Sequence, residues 1–259
     1  MKIEYPVIES AAARPAHLTD EYKLVFDEEF DGDKLDTSRW NYNYTWGNTH
    51  NHAAYCAPEN VIVKDGCLTL LGERKRHPNS ACKYGNFNGK KLDLLYTGAA
   101  INTHGKYHFT YGYFEASLKI PRGRGMWPAW WMLSEGWPPE IDMMEILGSR
   151  TDRIMVNCHF GNDYRDERSE EQRIELGFDS SAGFHVYGLD WTRERMIFYI
   201  DGKPVGHPFV GEEGLIQCRD MYMILNLAID GWDGAPDEKT PFPAKYMCDF
   251  VRVWQCGGE

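Results

Sequence analysis

Short runs of β-branched and aromatic residues, each followed by a turn signal, recur along most of this chain. Asp65-Gly66 separates two such runs and Asp201-Gly202 separates another two, and these dipeptides favour the tight turns of β-hairpins. Extended helical periodicity is absent, and the best helix candidate is a short acidic piece at residues 170–173. The pattern predicts an all-β fold, an antiparallel sandwich or jelly roll.

The sequence predicts a single large domain behind a short arm. Residues 1–20 combine prolines with a run of small residues, which is typical of an irregular segment. Strand signals begin directly afterwards, and neither a linker nor an internal repeat interrupts residues 21–259. A chain of 259 residues is within the range of one β-sandwich. The polar stretch at residues 72–95, rich in Asn and Gly, predicts a long loop.

Charge and hydropathy argue against several classes of partner. The formal net charge is −11, which disfavours nucleic acid because phosphate binding requires clustered Lys and Arg. No apolar run approaches the roughly 18–20 residues that cross a membrane, and residues 1–6 contain no apolar stretch of signal-peptide length. The seven cysteines lack a Cys-x-x-Cys spacing, so we expect mostly reduced thiols and no zinc site.

Aromatic residues make up 14% of the chain, with nine Trp and fifteen Tyr. A β-rich core also favours aromatic residues, but this many Trp suits flat surfaces on which sugar rings stack. Composition therefore favours carbohydrate as the substrate or ligand.

The most informative motif is Glu140-Ile141-Asp142-Met143-Met144-Glu145, with three carboxylates in six positions. Alternate side chains of a strand point to the same face, so Glu140 and Asp142 share a face while Glu145 comes one residue late. One extra residue, a β-bulge, returns Glu145 to that face, and bulges are common beside active sites. Two carboxyl groups about 5–5.5 Å apart are the arrangement of a retaining glycosidase, with one nucleophile and one acid/base.

Apolar segments flank the motif on both sides, at residues 126–133 and 146–148. Closely spaced like charges repel, and their desolvation is costly, so three carboxylates between apolar runs need a reason. Catalysis is the interpretation we favour, and a solvated or ion-binding strand is the alternative.

From residue 22 to residue 255 the chain resembles glycoside hydrolase family 16, of the laminarinase-like type. The bulged motif is the most specific part of the resemblance. Supporting segments follow in the family's order, at Val25–Phe30, Tyr111–Glu115, Trp127–Trp131 and Asp249–Trp254. The resemblance implies a concanavalin-like β-jelly-roll sandwich of two curved antiparallel sheets with a concave substrate cleft.

The resemblance also implies catalytic roles and an activity. Glu140 corresponds to the nucleophile, Glu145 to the acid/base and Asp142 to a residue that assists Glu140. The implied reaction is double-displacement hydrolysis within a β-1,3- or mixed β-1,3-1,4-glucan, with no cofactor for catalysis. We expect a monomer acting on a neutral polysaccharide, and the family implies an extracellular or periplasmic location.

Further residues match family positions near the cleft. By strand alternation Trp127 and Trp131 share a face and are candidates for sugar stacking, with core packing as the alternative. His159 matches a position beside the carboxylates, where a bond to Glu145 or the substrate and a purely structural role are both open. The remaining candidates for substrate binding are Trp46, His50 and Trp137.

Two segments depart from the family pattern and leave the glycan specificity open. His50-Asn51-His52 stands in a loop that shapes the subsites toward the non-reducing end, and Ala100 stands where relatives often have Arg. The alternatives are a galactan-cleaving relative of the agarase or carrageenase type and a catalytically silent glucan-binding module. Arg122 and Arg124 precede the motif, but no dense basic cluster flanks it in sequence, as a sulfated substrate would require.

A structural calcium is a further implication of the resemblance. Glu29 and Asp249 match positions that often hold this ion in the family, together with a backbone carbonyl of Gly66. Carboxylate and carbonyl oxygens are the ligands that calcium prefers. The alternative is that both residues are ordinary surface acids.

Overall fold

The structure is a computed structural model that describes residues 5–51, 53–79, 86–87, 90–91, 94–210 and 219–256, with the backbone alone at 86–87 and 90–91. Within these ranges the chain forms eighteen strands and two short 3₁₀ helices, at Pro58–Asn60 and Gly231–Asp233. The strands are β1 (Tyr22–Glu28), β2 (Asn41–Tyr42), β3 (Ala54–Cys56), β4 (Val61–Lys64), β5 (Cys67–Gly72), β6 (Asn86–Phe87), β7 (Lys90–Lys91), β8 (Tyr96–Asn102), β9 (Gly112–Lys119), β10 (Met126–Ser134), β11 (Gly136–Glu145), β12 (Arg153–Phe160), β13 (Arg168–Glu175), β14 (His185–Trp191), β15 (Arg195–Ile200), β16 (Lys203–Val210), β17 (Tyr222–Ile229) and β18 (Ala244–Cys256).

Two large sheets account for most of the strands. The first sheet has the order β16-β15-β14-β9-β18-β5-β4, with β1 paired to β18. The second sheet has the order β13-β12-β11-β10-β17-β8-β2, with β3 added to β8 in the one parallel pairing of the described strands. Strands β6 and β7 form a separate two-stranded sheet among the described strands. The predicted all-β sandwich of two antiparallel sheets is confirmed.

The space between the sheets is filled by large apolar side chains. Trp40, Trp130 and Trp191 are fully buried there. On β10, Trp130 and Met132 point into this core, whereas alternate residues of the same strand point to the outer face of the second sheet. The predicted common face of Trp127 and Trp131 is confirmed, and Trp130 lies on the opposite face.

The two hairpins expected from their turn dipeptides are present. Asp65 and Gly66 connect β4 to β5 with φ angles of 55° and 69°. Asp201 and Gly202 connect β15 to β16 with φ angles of 49° and 72°. Two consecutive positive φ angles define the turn whose twist matches that of paired strands, so the sequence signal has its expected structural cause.

The predicted helix at residues 170–173 is wrong, because this segment is the middle of β13. The strand pairs with β12 along its whole length, from Arg153 opposite Glu175 to Phe160 opposite Arg168. Local helix propensity is a weak preference that a full ladder of cross-strand hydrogen bonds overrides. The acidic residues lie on an edge strand with polar surroundings, which is why they lack the apolar pattern of a buried strand.

Other expectations meet the described residues only in part. Of the predicted loop at 72–95, Gly72 ends β5 and residues 73–79 and 94–95 contain no strand, but the short paired strands β6 and β7 interrupt it. Positions 80–85, 88–89 and 92–93 lie outside the described residues. The described part of the arm lies against β1 through a hydrogen bond from Ile8 N–H to Leu24 O of 2.8 Å. None of the described helical segments has the length and apolar character needed to cross a bilayer.

Candidate active site

Strand β11 carries the three carboxylates and contains the predicted bulge. Two neighbouring residues of β10 pair with Met144 and Asp142, so Met143 is left over between them. The pairing with β12 shifts in the same place, between Asp142 and Glu145. Because of the extra residue, Glu145 returns to the face that already carries Glu140.

All three carboxylates reach one cavity of about 240 Å³ on the outer face of the second sheet. The rest of the lining comes from β10, β12, β17, the loop that contains His50 and the 3₁₀ helix at Gly231–Asp233. The lining residues are His50, Trp127, Ala129, Trp131, Glu140, Asp142, Glu145, His159, Asn226 and Trp232. Folding therefore brings together the predicted carboxylates and four of the six predicted binding residues.

The carboxylates differ in access and in hydrogen bonding. The Asp142 residue is 4% exposed and Glu145 6%, while the Glu140 side chain keeps 19% of its surface. The indole Nε1–H of Trp127 donates to Glu145 Oε1 at 2.9 Å. Trp127 is thus a residue that fixes the position of a carboxylate as well as an aromatic surface.

Burial makes these carboxyl groups hold protons near neutral pH. It raises the pKa of Glu140 to about 8, and the charge of Glu145 acts in the same direction. Burial also raises the pKa of Glu145, to about 7, against the opposing effect of the Trp127 hydrogen bond. The pKa of Asp142 is raised well above its ordinary value by burial and by both glutamates. Three coupled acids on one strand titrate as a group, and the group carries protons where isolated carboxyls would be ionised.

His159 lies beside two of the carboxylates. Its Nε2 is 3.7 Å from Glu140 Oε1 and 3.8 Å from Asp142 Oδ2, and its Nδ1 lies 2.7 Å from Glu167 Oε1. Glu167 was not among the predicted site residues. It fixes the ring by the hydrogen bond on the opposite nitrogen, which is the usual way in which a histidine is oriented.

An aromatic cluster forms one side of the cavity. The ring of Trp131 lies 6.0 Å from Trp46 and 5.8 Å from His50, and His50 also lies 5.7 Å from Trp127. The indole N–H of Trp131 donates to Asn226 Oδ1 at 2.7 Å. The loop that carries Trp46 and His50 therefore comes to the same cavity as β10. His52 lies outside the described residues.

Trp137 stands on the opposite side, at the other end of β11. The residue is 41% exposed to solvent, and its ring lies 5.6 Å from that of His159. Trp137 does not line the cavity itself, and substrate binding by this residue stays a prediction.

Sequence reasoning missed Trp232 and Asn226. Trp232 stacks on Trp127 with 5.2 Å between ring centroids. This approach requires glycine at position 231, where φ is +86° and a Cβ atom would come within 2.7 Å of the Trp127 ring. Asn226 could have been found from the sequence, because it is the one amide in the apolar strand β17 and a buried amide needs a hydrogen-bond partner.

The residues of the predicted calcium site are engaged differently. Glu29 Oε1 accepts hydrogen bonds from Arg252 Nε at 2.8 Å and Nη2 at 2.6 Å. A guanidinium on this oxygen competes with a cation for the same carboxylate, so the contact at Glu29 does not fit calcium. Asp249 is exposed. Calcium at Glu29, Gly66 and Asp249 stays a prediction, and no chemical step requires it.

Two other groups in the described part of the chain have donor atoms within 4.8 Å of one another. One is formed by Glu140, Asp142 and His159, which belong to the cavity above. The other is formed by His104, His108 and Glu135. In the second group His104 Nε2 lies 2.5 Å from Glu135 Oε1, which accounts for that pair as an ordinary ion pair or hydrogen bond.

Comparison with known proteins shows what the chain is similar to. The model of the family "Glycosyl hydrolases family 16" matches residues 48–251. The "Beta-glucanase" of Rhodothermus marinus is 30% identical over 262 residues, covering 90% of this chain and 85% of that protein. The "Glucan endo-1,3-beta-glucosidase A1" of Niallia circulans is 28% identical over 280 residues, covering 90% of this chain but only 38% of that protein.

Solved structures give the same result for the fold. The catalytic domain of an endo-1,3-beta-glucanase (laminarinase) from Thermotoga petrophila RKU-1 is 30% identical, with a TM-score of 0.75 over 91% of this chain and 98% of that one. The jelly-roll architecture expected from the sequence is therefore confirmed. The chain spans about two fifths of the length of the first curated relatives that it matches.

Proposed function

Because the chain belongs to glycosyl hydrolase family 16, we propose that it is a retaining endo-β-glucanase that cleaves β-1,3- or mixed β-1,3-1,4-glucan. The observation that carries the proposal is the bulge of β11, which puts Glu140 and Glu145 into one aromatic-lined cavity. Relatives and neighbours named as glucanases support this substrate class. Since a polysaccharide does not cross a membrane, we place the reaction outside the cell or in the periplasm.

In the first half of the reaction the glucan chain is broken. A carboxylate oxygen of Glu140 attacks the anomeric carbon and forms a glycosyl ester, while the bond to the leaving sugar oxygen breaks. Glu145 donates its proton to that oxygen. The pKa of Glu145 is raised to about 7, so part of the molecules hold this proton at neutral pH. Because the pKa of Glu140 is raised further, to about 8, the reactive form with Glu140 ionised and Glu145 protonated is the less populated singly protonated form of the coupled pair.

In the second half water releases the bound sugar. Glu145, now a carboxylate, takes a proton from the water as it attacks the anomeric carbon, and Glu140 leaves as a carboxylate. Asp142 lies on the same face between the two glutamates and is buried. It shares a proton with Glu140, which allows that carboxylate to ionise within a cavity that disfavours charge. Trp127 and Glu167 act as positioning residues, through Glu145 and His159 respectively.

We predict net retention of the anomeric configuration. Two inversions at the same carbon restore the β-configuration of the substrate. Proton NMR of the first sugar released from laminarin or barley glucan decides the point, before mutarotation mixes the anomers. An initial α-anomer would remove Glu140 from the role of nucleophile.

We predict a bell-shaped dependence of kcat/KM on pH, with its maximum near neutrality. On the acid side the nucleophile takes up a proton, and on the alkaline side the acid/base loses one. The pKa values of Glu140 and Glu145, about 8 and about 7, place both limbs above the ordinary carboxyl range. Initial rates between about pH 4 and pH 10 test this, and an optimum at pH 4–5 would contradict the raised values.

We predict that Trp131→Ala lowers kcat/KM on neutral glucan by about tenfold through lost contact with a sugar ring. Trp131→Phe, which keeps a ring but not the bond to Asn226, should lose less. Phe184→Ala, at an exposed aromatic directly before β14 on the other sheet, is the control for loss of an aromatic ring away from the cavity. Salt should hardly change the rate, because a neutral sugar gains nothing from long-range charge. An unchanged rate in Trp131→Ala would show that this ring does not contact substrate.

The alternatives differ from this proposal in measurable ways. A galactan-cleaving relative would release products from agarose or carrageenan but not from laminarin or barley glucan. A silent module would bind glucan without releasing any product. Product analysis on these four polysaccharides separates the three cases, and release of several oligosaccharide sizes from the start identifies cleavage within the chain.

A further inference from the structure

A second cavity of about 220 Å³ adjoins the active site and is rich in arginine. Trp232 lines both cavities. The other lining residues are Leu147, Arg150, Arg153, Met155 and Arg173. The sequence shows no dense basic cluster near the catalytic motif, because these arginines come from a turn and from two different strands that only folding brings together.

Arg153 and Arg173 lie on the two strands of the second sheet that come next to Glu145, β12 and β13. Glu145 pairs with Met155 of β12, and Met155 pairs with Arg173 of β13. Directly opposite residues of antiparallel strands point to the same face, so Arg173 shares the outer face with Glu145. Adjacent strands are about 4.8 Å apart, which puts the Arg173 backbone about 10 Å from that of Glu145, within the span of a sugar unit or two.

This cavity lies on the side of the leaving group. Glu145 protonates the oxygen that leaves, so the sugars released first continue past Glu145 rather than past Glu140. The aromatic loop with Trp46 and His50 lies near Trp131, toward β17. The arginines lie toward the opposite edge of the sheet, at β12 and β13. This assignment rests on the proposed function, since it uses the role of Glu145 as acid/base.

All three arginines of this cavity also pair with carboxylates: Arg150 with Asp152 and Glu175, Arg153 with Glu175, and Arg173 with Glu171. Arg153 Nε donates to Glu175 at 2.6 Å, and Arg173 Nε donates to Glu171 at 2.6 Å. Neither Glu175 nor Glu171 lines the cavity. These carboxylates occupy only part of the hydrogen-bonding capacity, since each guanidinium has five N–H donors, so donors remain for a ligand.

We infer that this cavity binds an anionic substituent, a carboxylate or a sulfate ester, carried by the glycan on the leaving-group side of the cleaved bond. The planar fork of Arg matches the oxygens of both groups and gives charge-assisted hydrogen bonds. The ring of Trp232, 53% exposed, supplies a flat surface for the sugar that bears the substituent. The natural substrate is then an acidic, partly substituted β-glucan, of which laminarin is the unsubstituted analogue.

Matched substrates test the inference. Laminarin, laminarin oxidised to carboxylate at some C6 positions, and laminarin sulfated to the same low degree differ only in the substituent. With at least one of the two acidic substrates, Arg173→Gln should lower kcat/KM about tenfold and leave the value for laminarin unchanged. Arg153→Gln should act in the same direction. Arg195→Gln, an exposed arginine on the first sheet, removes the same charge far from the cleft and should change nothing.

Salt gives a second readout that a structural role would not produce. For the wild type, the ratio of kcat/KM on acidic laminarin to kcat/KM on neutral laminarin should fall as ionic strength rises. For Arg173→Gln this ratio should be lower and should not change with salt. An equal loss on neutral and acidic substrates, no loss on either acidic substrate, or the same loss in Arg195→Gln would overturn the inference.

Binding separates this inference from the proposed function. If wild type cleaves none of the three laminarins, the endo-glucanase proposal fails. Calorimetry then compares wild type with Arg173→Gln, using carboxylated and sulfated laminari-oligosaccharides. Weaker binding of the acidic oligosaccharide by the variant supports the anionic site, whichever substituent is preferred, and equal binding by both proteins rejects it.

Discussion

Glu140→Gln is expected to lower kcat on laminarin or barley glucan by at least about 10³-fold, because the amide is a poor nucleophile of nearly the same shape. The side chain faces the cavity with 19% of its surface exposed, so the change removes no core packing. Glu135→Gln, an exposed acid with a 74% exposed side chain just before β11, is the matched control and should keep most of the activity. Half of the wild-type rate or more in purified Glu140→Gln would exclude Glu140 as the nucleophile.

The pH dependence of unfolding provides a folding control for Glu140→Gln, because the wild-type Glu140 has a raised pKa. Burial raises the pKa of Glu140 from 4.5 to about 8. Between these values the folded state holds a proton that the unfolded state has lost. The free energy of unfolding therefore falls as pH rises through this window. The amide that replaces the carboxyl group has no such proton, so the Tm of Glu140→Gln should fall less than that of wild type between pH 5 and pH 9. An inactive variant with this Tm profile has lost chemistry rather than structure.

The bulged strand β11 with its three carboxylates was predictable because its information is local. The period of two along a strand assigns each side chain to a face, and the late arrival of Glu145 in an otherwise regular alternation indicates one inserted residue. The register of β11 against β10 and β12 shows this insertion at Met143. The same alternation puts Trp127 and Trp131 on one face, and both line the cavity, whereas Trp130 packs in the core.

What the sequence did not show depends on which strands become neighbours. Arg153 and Arg173 are separated by twenty positions that contain no basic cluster, and they meet only because β12 pairs with β13. The error at residues 170–173 has the same origin, since an acidic edge strand and an acidic helix look alike locally until pairing decides. Trp232 was missed because it lies in the short 3₁₀ helix after β17 and reaches the cavity by stacking on Trp127, a contact between distant segments.

Glu145→Gln is expected to lower the rate on polysaccharide as severely as Glu140→Gln does. The reason differs, because Glu145 supplies a proton to the leaving group, and substrates with different leaving groups distinguish the two cases. A sugar hydroxyl leaves only when it receives a proton, whereas a dinitrophenolate leaves without one. With a dinitrophenyl β-laminaribioside, the first step of Glu145→Gln should therefore stay within about tenfold of wild type, while the second step slows and the glycosyl ester on Glu140 accumulates.

A small anion that needs no base should then rescue the second step of Glu145→Gln. Azide attacks the anomeric carbon directly, releases Glu140 as a carboxylate and gives a β-glycosyl azide, so turnover should rise with azide concentration. The wild type, whose Glu145 carboxylate repels the anion and activates water instead, should show no such rise. The fall in rate caused by Glu145→Gln should also be smaller for a better leaving group, because Glu145 interacts with the departing oxygen. The fall caused by Glu140→Gln should not depend on the leaving group. If Glu145→Gln loses the dinitrophenyl substrate and the polysaccharide to the same extent and azide restores neither, the indole bond from Trp127 to Glu145 holds a structural carboxyl, and the proton must come from another group in the cavity.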